Sequence, residues 1–203
     1  ASTAGSVVVT DAGNNLDEVT AAEIDLPIVG GIDDFYETLE GMRVTFVDEL
    51  TVSEYFELFR FGHIELFEGG RPRQFTEQAA PSVAGYAAHL GNLDRRRVIL
   101  DDLDNAPNAP LNLPNGQQFA FHPAANGGFS VGTQGTDFFR GGDLVNGLTG
   151  VLHWSFAGSG SADACRVRPT AAKPATFTVC NPGPATPPAV GGAIRAASLN
   201  LLN

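Results

Sequence analysis

Four oxygen-bearing side chains crowd one short stretch: Asp101, Asp102, Asp104 and Asn105 follow directly on the apolar run RVIL. Carboxylate and amide oxygens placed after a strand can converge on a hard cation such as Ca²⁺. The EF-hand pattern is not met, because no Gly stands at its sixth position and no Glu at its twelfth. Turn-forming Asp and Asn leave the same letters. A second group is Arg60, Arg71, Arg73, Arg95, Arg96 and Arg97, with Phe56, Phe59 and Phe61 near in sequence. Guanidinium groups neutralise phosphates and phenyl rings stack on bases, so this set would suit a single nucleic-acid strand. The competing reading buries the phenylalanines and pairs the arginines with carboxylates, and a net charge of −11 favours it. The third group is Cys165 and Cys180, an even count that suggests a disulfide made in an oxidising compartment. Closing a loop of that size would stabilise by about 3 kcal/mol; two buried thiols are the alternative. His63, His89, His122 and His153 stand apart with no ligand spacing, and no HExxH, phosphate-loop or GxSxG motif is present.

Such groups act only if a frame holds them. The longest period-two stretch is residues 141–156, GGDLVNGLTGVLHWSF. Leu148, Leu152, Trp154 and Phe156 fall on one face of an extended strand, and Thr149, His153 and Ser155 on the other. Gly147 and Gly150 inside the run mark a bulge or bend, as the corners of a small barrel require. These residues are read as the central, curved strand. Residues 42–47 make another strand, with Met42, Val44 and Phe46 inward. Residues 51–61 fit helix or strand, and their β-branched start favours strand. Residues 64–67 and 97–101 are further strands. Residues 33–40 read as a short helix capped by Asp33. Residues 77–90 are the best helix: Pro81 suits its first turn, Val83, Tyr86, Ala87 and Leu90 form a stripe for burial, and Gly91 ends it. Residues 165–168 and 176–179 are expected to pair as a hairpin clasped by the cysteines.

The totals agree with a sheet. Among 203 residues there are 24 Gly and 13 Pro, which favour turns and short strands over a helical bundle. With 12 Lys+Arg against 23 Asp+Glu, the chain is a poor generic polyanion binder. No run of 18 apolar residues exists, so no membrane span is expected. The expected fold class is mainly β, an OB-like small β-barrel with one packed helix and strand-like terminal extensions. Residues 1–31 are read as a strand and acidic connector closing a preceding OB-like unit, and 32–180 as the barrel. Residues 181–192 are a Pro-rich linker, and 193–203 open a further domain.

Several blocks carry a resemblance. GIDDFYETLEGMRVTF, LTVSEYFELFRFGHIELFEGGRPRQ, RRVILDD, GDLVNGLTGVLHWSF and the closing NPGPATPPAVGGAIRAASLNLLN are similar, in this order, to bacterial secreted nucleases. In those proteins OB-like segments precede a catalytic domain of the endonuclease/exonuclease/phosphatase superfamily. Ala196-Ala197-Ser198-Leu199-Asn200-Leu201-Leu202-Asn203 resembles that domain's first strand, with Leu199 where Phe is usual. The resemblance matches Asn200 to an Asn of the family's metal- and phosphate-binding site, where an amide can orient a phosphate oxygen or metal-bound water. The family's other acids and histidines have no counterpart here. The resemblance thus implies a secreted, extracellular or periplasmic nuclease parent using Mg²⁺ or Ca²⁺, acting on DNA. This chain would be its non-catalytic accessory part, inactive alone, with the catalytic domain of the same protein as partner. The alternative is a structural or adhesive β-domain that self-associates through edge strands at residues 6–10 and 194–202.

Overall fold

The computed structural model describes residues 19–102, 132–156, 163–170 and 173–184, and singly 13, 186, 189 and 191. The element order is β1 (Ala22–Ile24), α1 (Ile32–Glu37), β2 (Arg43–Phe46), β3 (Glu49–Glu54), α2 (Leu58–Phe61), β4 (Ile64–Glu68), α3 (Phe75–Gln78), α4 (Val83–Arg96), β5 (Arg97–Leu100), β6 (Leu144–Asn146), β7 (Thr149–Phe156), β8 (Asp163–Arg168) and β9 (Phe177–Thr178). The strands form one nine-stranded sheet in the order β1-β2-β7-β8-β5-β4-β3-β6-β9. The chain is therefore mainly β, as its composition predicts.

Two bent strands curl this sheet. β2 lies antiparallel to β7 with Val44 opposite Gly150, and β3 lies antiparallel to β6 with Leu50 opposite Val145. Since β2 runs on into β3 and β6 into β7, these are two halves of one long pair. Between Phe46, bonded to Leu148 O, and Glu49, opposite Asn146, one side has an extra residue. That is a bulge, and it turns the pair through a corner. Gly147 sits there at φ 61°, a left-handed conformation that glycine adopts without steric cost. Gly150 serves close approach instead. A Cβ built on it would stand 2.5 Å from the Arg168 carbonyl oxygen and 2.8 Å from Val167 Cγ1. Residues 141–156 are thus two strands with different partners, because the inner glycines hand the chain from one part of the sheet to another.

With β2 and β3 counted as one strand, the order β2/β3-β4-β5-β8-β7 returns to its start. The joint between β5 and β8 is parallel and rests on one bridge, Leu100↔Val167, with Asp101 N–H donating to Val167 O at 3.0 Å. Val44, Phe46, Leu50, Val52, Leu66 and Leu100 fill the inside with Leu148, Leu152 and Val167, each almost fully buried. β1 adds itself parallel to β2, and Ile24, Leu26 and Ile28 enter the same core. The stretch read as an acidic connector therefore belongs to this sheet.

Other expectations need correction. Met42 is 44 % and Trp154 42 % exposed, although both share the inward face. Met42 lies just before the first paired residue of β2, at the rim. Trp154 lies beyond the level at which β5 still meets β8, so no strand covers it. Residues 51–61 divide into β3 and α2. The helix at 77–90 is the short α3 followed by α4, which begins after its N-cap Ser82 and runs through Gly91 to Arg96. Tertiary bonds carry it past the glycine. Ile28 N–H donates to the Arg95 carbonyl, the Arg95 guanidinium donates back to the Ile28 carbonyl, and Arg96 pairs with Glu68. None of the α4 side chains is buried, so its apolar stripe faces outward. The expected hairpin of 165–168 with 176–179 does not form: β8 pairs with β5 and β7, whereas β9 pairs with β6. Cys180 is carried to a different part of the sheet from Cys165, and both are free thiols. α1 is capped by Gly31, with no side-chain bond from Asp33.

Candidate functional site

Two polar constellations stand out, one sealed and one open. The sealed one is built by strand alternation. Val167 and Leu100 point inward, so Arg166, Arg168 and Asp101 project from the other face, with His63 just before β4. Arg166 NH1 donates to Asp101 Oδ1 at 2.9 Å, and Arg168 Nε to Asp101 Oδ2 at 2.5 Å. His63 Nε2 lies 2.8 Å from Asp101 Oδ1 and 2.7 Å from Arg166 NH1. With a lone pair this nitrogen accepts from Arg166; with a proton it donates to Asp101. Burial opposes the Asp101 charge, but the His63, Arg166 and Arg168 donors outweigh it and hold its pKa below the ordinary carboxylate value. Asp101 and Arg166 are fully buried and His63 nearly so, which closes the cluster to any substrate. It ties the end of β5 to β8 beside their single bridge.

This bears on the cation expectation. Asp101 has both oxygens committed to donors and faces two guanidinium groups, so it does not fit a divalent-ion site. Asp102 packs against Gly62, where a Cβ would meet its carboxylate. Asp104 and Asn105 lie outside the described residues, as does Asn200. Among the described residues no three His, Cys, Asp or Glu come together as metal ligands.

The open constellation is a cleft of about 340 Å³ lined by Tyr55, Leu58, Arg71, Phe139, Arg140 and their neighbours. Its base is organised by Asp143, itself fully buried. Gln134 Nε2 donates to both Asp143 oxygens at 2.8 and 2.9 Å. The backbone N–H groups of Arg140, Cys180 and Asn181 donate at 2.9, 3.0 and 3.1 Å. Burial raises the cost of this charge, yet the four donors prevail and its pKa lies below the usual value. Asn181 Nδ2 also donates to Gly141 O at 2.6 Å. The turn at 140–143 is thereby fixed against the segment leaving β9.

On that turn the aromatic and cationic groups meet. A Cβ built on Gly141 would stand 3.4 Å from Tyr55 Cε1 and 3.6 Å from Arg71 Cζ, so ring and guanidinium approach over the bare glycine. The Tyr55 ring meets Phe139 edge-on at 6.4 Å, and Phe139 stacks on Phe177 at 4.6 Å. Arg140 lies with its Cζ 5.7 Å from the Phe138 ring centre. Phe56, next to Tyr55, is 81 % exposed. Among the described residues Arg71 and Arg140 make no ion pair. Two unneutralised cations beside a tyrosine face can hold phosphate oxygens and stack one planar ring.

The six predicted arginines divide. Arg95 is spent on the Ile28 and Gly30 carbonyls, Arg96 on Glu68, and Arg97 on Glu65 and Asp94. For Arg96 and Arg97 the reading that pairs arginine with carboxylates is the observed one, whereas Arg95 bonds backbone carbonyls. Arg60 lies 5.0 Å over the Phe61 ring. Arg60, Arg71 and Arg73 make no ion pair among the described residues. Phe61 is buried whereas Phe56 is exposed; the Phe59 side chain lies outside the described residues. Sequence reasoning missed Tyr55, Phe139, Arg140 and Asp143. The only hint is GGD at 141–143, whose glycines and aspartate favour a turn. Cys165 is half-buried, and burial together with Glu40, Asp33 and Glu37 pushes its thiol up to about 11, so it stays protonated and weakly nucleophilic at neutral pH.

No protein-family model, curated protein or solved structure matches the chain.

Proposed function

We propose that this chain is a non-catalytic accessory module of a secreted metal-dependent nuclease, an OB-like barrel that positions a nucleic-acid strand for the catalytic domain of the same protein. The five-stranded ring favours the OB-like reading, with the difference that its helix precedes the third strand rather than following it. Such barrels hold oligonucleotides on the face of their second and third strands and in the loop between their first and second. Here that loop is residues 55–63, which begins with Tyr55 and Phe56. The observation that carries the reading is the convergence of Tyr55, Arg71 and Arg140 in a chain whose other described arginines mostly have acceptors. The parent's Mg²⁺ or Ca²⁺, and the ligands that would join Asn200, belong to the catalytic domain in this reading. The alternative, assembly through edge strands, rests on residues 6–10 and 194–202, outside the described residues.

Fluorescence anisotropy with a single-stranded oligonucleotide at low salt tests it. Tyr55→Ala is expected to cost about 1–3 kcal/mol through the lost stack. Arg140→Ala is expected to flatten the salt dependence by about 0.7 in log–log slope, one phosphate contact on a single strand. The pure chain with Mg²⁺ or Ca²⁺ is expected to leave DNA intact. Unchanged binding by the double variant, or robust cleavage by the chain alone, would overturn the proposal.

A further inference from the structure

The outward stripe of α4 is one wall of a second, larger cleft of about 740 Å³, whose other wall is α3 and the segment before it. Its surface is mainly apolar and aromatic. The Phe75 ring stands 6.2 Å from Tyr86, inclined at 56°, and 5.8 Å from His89, inclined at 47°. Val83 is 91 % exposed, and Tyr86 and Leu90 are each about half exposed. The cleft is a built feature: a Cβ on Gly85 would come within 2.6 Å of Phe75 Cζ, so the missing side chain on α4 is what seats the ring.

At one end, through Pro72, Arg73, His89 and Leu93, this cleft continues into a small polar pocket of about 170 Å³. Arg71, Arg73 and Arg96 line it with the amide side chains of Gln78 and Asn92. Arg96 is held in place by Glu68, its guanidinium lodged where a Gly69 Cβ would otherwise be. Arg71 and Arg73 bring charge that no carboxylate among the described residues neutralises. In a chain with 23 Asp+Glu against 12 Lys+Arg, neither lining includes an acidic side chain among the described residues. An aromatic-walled cleft ending in a compact cationic pocket calls for a ligand of the same two parts. An apolar peptide would leave the arginines unmatched, and a bare anion would leave the rings open to water.

We propose that this composite cleft binds a nucleoside phosphate, the base against Phe75 and Tyr86 and the phosphate among Arg71, Arg73 and the Gln78 and Asn92 amides. The ligand is a free nucleotide or the phosphorylated end of a strand, which offer the same chemistry. The site is separate from the Tyr55 cleft, which shares only Arg71 with it.

Isothermal titration calorimetry with adenosine 5′-monophosphate tests the site, with adenosine and inorganic phosphate as comparators. The nucleotide is expected to bind saturably, at least about tenfold tighter than either comparator, the effect of one well-made contact. Arg73→Ala should reduce the nucleotide to the affinity of adenosine and leave adenosine unchanged. Tyr86→Ala should weaken both and leave phosphate unchanged. Tyr55→Ala should alter none of them, which separates this site from the strand-binding cleft. Arg73 and Tyr86 are exposed, and thermal midpoints equal to that of the unaltered chain confirm folding. A 5′-phosphorylated oligonucleotide that displaces the nucleotide identifies the strand end as the source; one that does not identifies the free nucleotide. Equal affinity for nucleotide and adenosine, no saturable binding in the millimolar range, or an unaffected Arg73→Ala variant would overturn the site.

Discussion

Asp101 holds three donors with two oxygens, and the consequence of losing it follows from what would remain. Arg166 is fully buried and forms an ion pair with this carboxylate. Removing one partner of a buried pair costs about 3–5 kcal/mol, because the other charge is left in a poor solvent. Asp101→Ala is therefore expected to lower unfolding free energy by about that much, measured from the denaturant midpoint. Adding Arg166→Met should recover part of the loss, since replacing both members of a buried pair with apolar groups removes the desolvated charge as well. If the double variant is as unstable as the single one, charge isolation is not the cause. This cluster was scarcely legible in the sequence. In sequence Asp101 stands out for its neighbours Asp102 and Asp104, whereas its arginine partners lie 65 and 67 residues further along and His63 precedes it, just before β4. A local oxygen cluster reads the same whether its members face a cation or a distant arginine.

Among the elements, β7 best shows how sequence pattern becomes architecture. The alternation of Leu148 and Leu152 against Thr149 and His153 marked a one-sided strand, and Gly147 and Gly150 marked a bend within it. Both features hold. What alternation cannot convey is partnership, since β6 and β7 need β3 and β2, about a hundred residues earlier, to bend with them. The same limit explains α4. A stripe at helical spacing looks alike whether a core or solvent lies beside it, and none of the α4 side chains is buried. Gly150 gives the element its sharpest test. Gly150→Ala would drive a methyl group into the Arg168 carbonyl, a backbone atom that cannot rotate away. The expected cost is about 1–3 kcal/mol, the range of overpacking in a close-packed interior. A midpoint unchanged in urea would show that β7 and β8 separate at no cost.

At the scale of the molecule, two buried carboxylates make folding depend on acidity. Asp101 and Asp143 both titrate below the ordinary range in the folded state, each against the desolvation that burial imposes. The unfolded value is about 3.9. A folded pKa depressed below it means that the stabilisation is complete above that value and is lost as pH falls through the folded pKa. Stability followed by circular dichroism is therefore expected to hold from neutrality to about pH 4 and to decline below it, as two carboxylates depressed from about 3.9 take up protons. Asp143→Asn should reduce that decline. An unchanged acid limb in this variant would remove Asp143 from the account. Fold class was readable because it needs only composition and period. A curved, barrel-like sheet was readable from Gly147 and Gly150; that β5 meets β8 was not, because this joint depends on one contact between Leu100 and Val167.

That single contact makes the circumference uneven. Every other joint in the ring is a ladder of several rungs, whereas this one has a single bridge, made in part by Asp101 N–H, and the charges around Asp101. Transient breathing of the native state should begin here, with β8 peeling from β5 while it stays zipped to β7. The ions are then less a site than a clasp across the thinnest joint of the curled sheet.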